Sequence, residues 1–553
     1  MELLEREAQL ATLNVALSEV SKGSGRIALV SGESGIGKTT LVEQFTHIHK
    51  NAVRVLWGAC DSLFTPRPLG PLHDMAGQFR GEIPDLLNQD SYRARLFSTV
   101  LVEFKRRTTI AVFEDVHWAD EATLDLLRYL GRRIAQTTTL LALTYRDDEL
   151  GTRHPLLGVL GDIANSSATR RIPLAPLSEM AVDTLVRDRG MDAAVLHRQT
   201  GGNPFYITEV LATRSSGIPA SIRDAVLARA ARLSLSGKAV LETAAIIGMR
   251  IEPWLLEVAT GSEASAVDES IESGILLSQG DALAFRHDLT RQTVLEITSP
   301  TRRPVLHRLV LDALRSSPLT RNDLARLAHH AEASGDQQSV LEYAPAAARL
   351  AAGAGAHREA TALYALALRY AEDLQPAEHA SLLEDYSREC NITERQSEAI
   401  AAQRKAAELW EQLQKPAKQG ETLAVLAIML RNHGYNPEAE RANRAAIEIL
   451  EELPAGPELA LAYRVQSTLS LSKRDHAEAI NWGGRAIELS KGFGDENNLA
   501  MAHVAVGSAW LFIDYERGCE YLERRLQIAQ DSGEDRHIAN LYAYIGSCSA
   551  ELY

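Results

Sequence analysis

With 553 residues the chain is too long for one hydrophobic core, and several domains are expected; 45% apolar and 24% charged residues is an ordinary balance for globular protein. The net charge of −15 argues against non-specific nucleic-acid binding by the chain as a whole, and the lack of any apolar run of about 18 residues argues against a membrane span. Four distant cysteines, Cys60, Cys390, Cys519 and Cys548, form no C-x-x-C pair, and the N-terminus Met1-Glu2-Leu3-Leu4-Glu5-Arg6 carries no basic segment before an apolar core; a disulfide framework, a zinc ribbon and a signal peptide are therefore not expected, and a reducing cytoplasm is.

Leu3, Leu4, Leu10, Leu13 and Leu17 have roughly helical spacing, and Lys22-Gly23-Ser24-Gly25 ends that helix. The apolar run Ile27-Ala28-Leu29-Val30 then predicts a strand. It leads into Gly32-Glu33-Ser34-Gly35-Ile36-Gly37-Lys38-Thr39-Thr40, and Leu41, Val42 and Phe45 continue with helical spacing. Strand, G-x-x-x-x-G-K-T turn and helix together are the signature of a phosphate-binding loop. Glycines let successive backbone N–H groups curl around phosphate oxygens, and the positive end of the next helix adds to the attraction. Lys38 has the reach for the β- and γ-phosphates, and the Thr39 hydroxyl is suited to ligate Mg²⁺. Gly32, Ser34, Gly35, Ile36, Gly37, Lys38, Thr39 and Thr40 are the candidate nucleotide-binding residues of this segment.

Val53 to Gly58 predicts a second strand, followed by a rigid connector, Thr65-Pro66-Arg67-Pro68-Leu69-Gly70-Pro71. Thr109-Ile110-Ala111-Val112-Phe113-Glu114-Asp115 reads as a buried parallel strand ending in two acids, as in a Walker B strand. A carboxylate there is a hard oxygen ligand for Mg²⁺, and a second orients or deprotonates the attacking water. By position Glu114 serves the metal and Asp115 the water, and the two roles stay exchangeable because the usual first acid is Asp. After a helix bearing Leu124, Leu127 and Leu130, the strand Leu140-Leu141-Ala142-Leu143-Thr144-Tyr145 ends at Arg146, in the place of a residue that faces the γ-phosphate.

The succession GESGIGKTT, VFEDVHWADEATLDLL and LLALTYRDDEL resembles the AAA-like signal-transduction ATPases with numerous domains (STAND), and among them the large ATP-binding LuxR-type (MalT-like) bacterial transcriptional regulators. Their first helix usually carries Gly-Arg-Glu, where this chain has Glu5-Arg6-Glu7. No guanine-type N-K-x-D stands in a fitting place, which favours ATP over GTP.

Ile172 to Ser178 reads as the last strand and exit of a nucleotide domain spanning 1–175. Thr200-Gly201-Gly202-Asn203-Pro204-Phe205-Tyr206 is similar to the family's loop opening a helix of the lid, here 176–215, and Pro204 is carried over as a residue beside the adenine. From 216 to 315, amphipathic helices and two short strands, Ile275-Leu276-Leu277 and Ala282-Leu283-Ala284-Phe285, predict a winged helix. The segment Phe285-Arg286-His287 matches a family position whose histidine contacts the β-phosphate of ADP, which implies that role for His287.

From 320 to 553 the pattern is helical and repeats. Ala360, Ala399, Ala439, Ala479 and Gly518 recur at separations of 39, 40, 40 and 39, the mark of a solenoid of helix pairs resembling stretched tetratricopeptide repeats (TPR). The last pattern, Leu541 to Tyr553, stops mid-repeat, and no C-terminal helix-turn-helix of the family's kind follows in these residues; the expectation is a fragment of a longer protein, a protein that ends early, or a member of a group with a different effector.

The expected fold is thus an α/β P-loop NTPase domain with a parallel sheet, then a helical lid, a winged helix and an all-α TPR-like solenoid. The expected function is an ATP/ADP- and Mg²⁺-dependent switch in the cytoplasm, probing a protein or small-molecule inducer with its repeats and regulating transcription, with self-assembly as one outcome of opening. DNA would be reached only through a domain outside this chain. Glu114, Asp115 and Arg146 are equally compatible with a slow ATPase or with a working remodelling ATPase, and a scaffold with a vestigial nucleotide site is the third alternative.

Overall fold

The computed structural model describes residues 3–61, 66–79, 81–87, 93–164, 166–187, 191–212, 222–279, 282–285, 288–317, 320, 323–532, 542 and 546. The chain forms two compact units, Met1–Leu363 and Tyr364–Tyr553.

The first unit is built on a five-stranded parallel sheet, β1 (Arg26–Ser31), β2 (Arg54–Ala59), β3 (Thr109–Glu114), β4 (Thr139–Tyr145) and β5 (Thr169–Pro173), in the order β2-β3-β4-β1-β5. The three inner strands β1, β3 and β4 are buried almost end to end, which is why they read as unbroken apolar runs; the edge strands β2 and β5 are only partly buried. β5 ends earlier than the sequence pattern suggested, at Pro173, which pairs with Ser31, the last residue of its partner strand β1; a final bond from Leu174 N to Ser31 O at 2.8 Å closes the ladder. The register β1 Val30↔β4 Thr144 and β3 Phe113↔β4 Leu143 brings the ends of all three strands, and so the phosphate loop, Glu114 and Arg146, to one rim.

Helices Glu7–Ser21 and Lys38–His49 pack Leu13, Leu17, Leu41, Val42 and Phe45 against the sheet residues Ala28, Val30, Ile110 and Val112. At about 25 cal/mol per Å² of apolar surface, such fully buried side chains contribute roughly 1.5–3 kcal/mol each.

Helices Glu179–Val186, Ala193–Thr200 and Pro204–Ala212 gather Val182, Val186, Leu196 and Ile207 into a small core of their own. Beyond them lie helices Ile222–Arg232, Leu235–Ile247, Pro253–Thr260, Ala264–Glu272 and Asp288–Ile297, together with a three-stranded antiparallel sheet of β6 (Arg250–Ile251), β7 (Leu276–Gln279) and β8 (Ala282–Phe285) in the order β6-β8-β7. The two longer strands follow the expected pattern; β6, with only two residues, is too short to show one.

The second unit is helical throughout its described residues. Helices Pro376–Ile392, Pro416–Asn432, Pro457–Ser472 and Glu496–Ile513 alternate with Gln396–Gln412, Asn436–Glu451, His476–Phe493 and Tyr515–Ser532. The repeat is visible atom by atom. Ala399, Ala439, Ala479 and Gly518 are all buried, and twelve residues before two of them a serine closes the hairpin: Ser387 Oγ donates to Ala399 O at 2.7 Å and Ser467 Oγ to Ala479 O at 2.6 Å. Buried amides recur likewise, Gln403 Nε2 donating to Thr422 O at 3.2 Å and Asn443 Nδ2 to Ala462 O at 3.1 Å. An α/β P-loop domain followed by a long helical solenoid is the architecture the sequence pattern implies. No helix among the described residues is long and apolar enough to cross a membrane.

Candidate functional site

The phosphate loop joins β1 to helix Lys38–His49, whose N-cap is Gly37. Gly35 and Gly37 have φ of +77° and +98°, in the left-handed region where a side chain is strained. A Cβ on Gly35 would also lie 2.7 Å from Phe205 Cβ, so the loop is pressed against the segment at Asn203. A Cβ on Gly37 would meet nothing within 4 Å, which leaves that side of the loop open to a ligand.

Lys38 is buried, and its Nζ donates to the carbonyls of Gly32 at 2.7 Å and Glu33 at 2.9 Å, which curls the loop around the ammonium. Burial pulls its pKa below the usual lysine range. Thr39 Oγ1 donates to Glu114 Oε1, and Trp57 Nε1 donates to Glu114 Oε2 at 3.0 Å. This contact pairs Glu114, rather than Asp115, with Thr39. The result is a hard-oxygen donor set, a hydroxyl and a carboxylate, held in place by an indole; it suits Mg²⁺ and contains no soft ligand.

Asp115 follows β3 with φ +52° and ψ +47°, an uncommon conformation for a non-glycine residue, and its N–H donates to Thr144 Oγ1 at 2.9 Å. Burial, then the neighbouring Glu114, pushes its carboxyl up to about 7, against the lowering pull of Arg146 and Lys38. Glu114 is raised as well, mainly by burial. His117 lies close by, Nδ1 3.9 Å from Asp115 Oδ1 and Nε2 3.5 Å from Glu149 Oε2, and burial with the charges of Arg146 and Lys38 drops it to about 3, so the ring is neutral.

Arg146 is buried, stacks over Trp118 at 4.7 Å from the ring centroid, pairs with Glu149 and reaches Asp288 Oδ2 at 3.3 Å. Asp288 heads helix Asp288–Ile297, directly after the expected phosphate contact His287, which lies outside the described residues. Arg146 therefore links the sheet rim to the region carrying β6–β8.

The Thr200–Tyr206 segment sits on the loop itself. Asn203 is buried; its Nδ2 donates to Ser34 O at 2.9 Å, its Oδ1 accepts from Phe205 N at 3.1 Å, and Phe205 N also approaches Gly35 O at 3.2 Å. A second clamp comes from Arg6, whose guanidinium donates to Ala175 O at 2.7 Å and Ile36 O at 3.4 Å. Glu5, where the resembled motif has glycine, takes φ +56°, and its carboxylate accepts from the N–H and hydroxyl of Ser178.

One large cavity of about 1600 Å³ collects Ser34 to Thr40, Glu114, Asp115, Arg146 and Pro204 along its wall and reaches Phe285 and Asp288. Gly32 lies behind the loop, where its carbonyl holds Lys38. Asn203, Arg6, Trp57 and His117 were not singled out from the sequence. Three had a local signal: Asn203 lies within the Gly-Gly-Asn-Pro turn, Arg6 within the Arg-Glu part of the resembled motif, and His117 two residues after Asp115; Trp57 reaches Glu114 across 57 residues, a separation that leaves no local pattern.

Residues 2–143 match the family model of the AAA ATPase domain, which implies nucleotide binding by this region. Over 408 residues the chain is 24% identical to an uncharacterized protein of Rhizobium meliloti (strain 1021), covering 60% of this chain and 39% of that protein; the chain thus spans about two fifths of its relative's length. Among solved structures it is similar to a STAND protein with a tetratricopeptide repeat sensor from Pyrococcus horikoshii, at 15% identity and a TM-score of 0.45, covering 96% of this chain and 85% of that one. Cdc6p from Pyrobaculum aerophilum is similar at 15% identity and a TM-score of 0.30, over 53% of this chain and 94% of that one.

Proposed function

We propose that this chain is an ATP/ADP-operated signalling switch of the STAND class, of the LuxR-type (MalT-like) kind, whose TPR-like repeats sense a ligand or protein partner and whose output is transcriptional. The observation that carries the reading is that the phosphate loop is enclosed by distant parts of the chain: Asn203 grips Ser34, and Arg146 holds Asp288. A site closed in this way couples nucleotide state to the arrangement of its walls. The division into a nucleotide domain 1–175, lid 176–215, winged helix 216–315 and repeats 320–553 belongs to the same proposal.

Lys38 and the loop N–H groups hold the phosphates, and Pro204 lines the nucleotide side of the cavity. Thr39 and Glu114 would hold Mg²⁺, which when bound would neutralise phosphate charge. Asp115, with its pKa near neutrality, is suited to take a proton from water, and His117 beside it stays neutral. Arg146 must choose between Asp288 and phosphate oxygens, and His287 reads the β-phosphate. A difference of about 3 kcal/mol between the affinities of ATP and ADP for the open and closed states changes their ratio by a factor of about 150.

The test is nucleotide binding and turnover. Purified chain is expected to retain ADP, Lys38→Ala to lose it, and His287→Ala to release it faster. Turnover well above one per second would replace the switch by a remodelling ATPase. Failure of either nucleotide to raise the melting temperature would indicate a vestigial site.

A further inference from the structure

Helix Arg303–Ser316 and helix Leu324–Ser334 bring three histidines together. One ring nitrogen from each of His307, His329 and His330 lies within 4.8 Å of the others. Adjacent residues on a helix diverge by about 100°, so His329 and His330 do not converge by helix geometry alone; His307 from the neighbouring helix meets both, with ring centroids at 5.6 and 5.1 Å. His307 Nδ1 and His330 Nδ1 face each other at 2.9 Å and share one proton. His330 is 1% exposed, and its Nε2 has no hydrogen-bond partner.

We propose that His307, His329 and His330 form a Zn²⁺ site with an open fourth position on the large cavity. His307 and His329 line that cavity. Three imidazoles with an open position are a known coordination pattern for zinc, at Zn–N distances of about 2.0–2.1 Å, and an all-nitrogen set disfavours Mg²⁺. Ligand nitrogens around a tetrahedral ion at that distance are about 3.4 Å apart, so small ring rotations suffice. The proton between the two Nδ1 atoms moves to an Nε2 as the metal takes its place, a tautomer shift that releases no proton. Burial also keeps all three rings neutral, the form that coordinates. The nearby cations are engaged elsewhere: Arg326 is held by Glu252 at 2.7 and 3.0 Å, and Arg303 donates to Leu295 O and Thr298 O. Zinc here would pin the two helices together in the wall of the nucleotide cavity.

The experiment is a Zn²⁺ titration of the full chain, stripped with a chelator and free of nucleotide, by calorimetry and by competition with a chromophoric chelator, with the zinc X-ray absorption edge recorded. One equivalent is expected to bind at micromolar Kd or tighter, with a nitrogen shell free of sulfur, a raised melting temperature, and no displacement by millimolar Mg²⁺. His307→Asn and His329→Asn, at the half-buried edge of the cluster, are each expected to weaken binding at least tenfold while circular dichroism and the zinc-free melting temperature stay near wild type. If either variant unfolds, the absorption spectrum of the wild-type chain decides alone. Wild-type affinity in both folded variants, a shell that contains sulfur or lacks the outer-shell scattering of imidazole, or Kd above 0.1 mM would overturn the site.

Discussion

Asn203 Nδ2 donates to the Ser34 carbonyl at 2.9 Å, tying the head of helix Pro204–Ala212 to the phosphate loop across 169 residues of chain. The same side chain accepts from Phe205 N. Asn203→Ala removes both bonds and leaves a loop carbonyl without its partner, a loss of about 1–3 kcal/mol. Calorimetry with ADP is expected to show at least a tenfold weaker Kd. An unchanged Kd with a lowered melting temperature would restrict Asn203 to capping its helix.

Arg146 and Asp288 form a buried pair, and Asp288 also accepts from Arg291 Nε at 3.2 Å and Gln292 Nε2 at 2.7 Å. Removing one member of a buried pair costs about 3–5 kcal/mol, because the other charge stays desolvated. The half-exposed Glu149 also holds Arg146, which puts Asp288→Ala at the lower end of that range. Urea unfolding of Asp288→Ala, Arg146→Met and the double variant is expected to give a coupling energy of about 0.5–3 kcal/mol. A coupling near zero would mean that the pair does not fasten the two regions.

How much of this was legible follows from how far each interaction reaches. The phosphate loop and its flanking strand and helix lie within a few consecutive residues, and the inner strands announce themselves as apolar runs because both faces are covered. The solenoid period was readable from small residues alone, since Ala399, Ala439, Ala479 and Gly518 sit where helices touch. Trp57 gripping Glu114, Arg6 gripping Ile36 O and Asp288 gripping Arg146 are single side-chain contacts across long separations, invisible to periodicity. Glu5 shows a subtler limit. The missing glycine of the Gly-Arg-Glu motif looked like a departure, yet Glu5 adopts the left-handed backbone a glycine would take and ties its carboxylate to Ser178.

Two glycines of the second unit should respond oppositely to alanine. A Cβ on Gly518 would stand 2.5 Å from Leu511 N and 2.7 Å from Leu511 Cα, backbone atoms that can give way only if helices Glu496–Ile513 and Tyr515–Ser532 move apart. Overpacking of this kind costs about 1–3 kcal/mol. Gly484, inside helix His476–Phe493, would place a Cβ in open space, and Ala there is expected to stabilise by about 0.5–1 kcal/mol. Thermal melts of the two variants should therefore move in opposite directions.

Asp115 should make stability depend on pH with an unusual sign. Its carboxyl, ordinarily near 3.8, is raised to about 7 in the folded chain by burial and by Glu114. Between those values the folded state keeps a proton that the unfolded state has lost, so stability falls as pH rises through the window and levels off above it. The full shift sets an upper bound of about 4 kcal/mol, and the 24% of the side chain that remains exposed to the cavity reduces it. Asn tolerates the left-handed backbone and carries no charge, so Asp115→Asn removes the penalty without adding strain. In urea titrations of the nucleotide-free chain, the variant's advantage over wild type is expected to grow from pH 5 to pH 7 and to stay level from pH 7.5 to pH 8.5. An advantage constant from pH 5 to pH 8.5 would show that Asp115 titrates as an ordinary surface carboxylate, and the case for it as the proton acceptor beside the phosphate loop would fall with it.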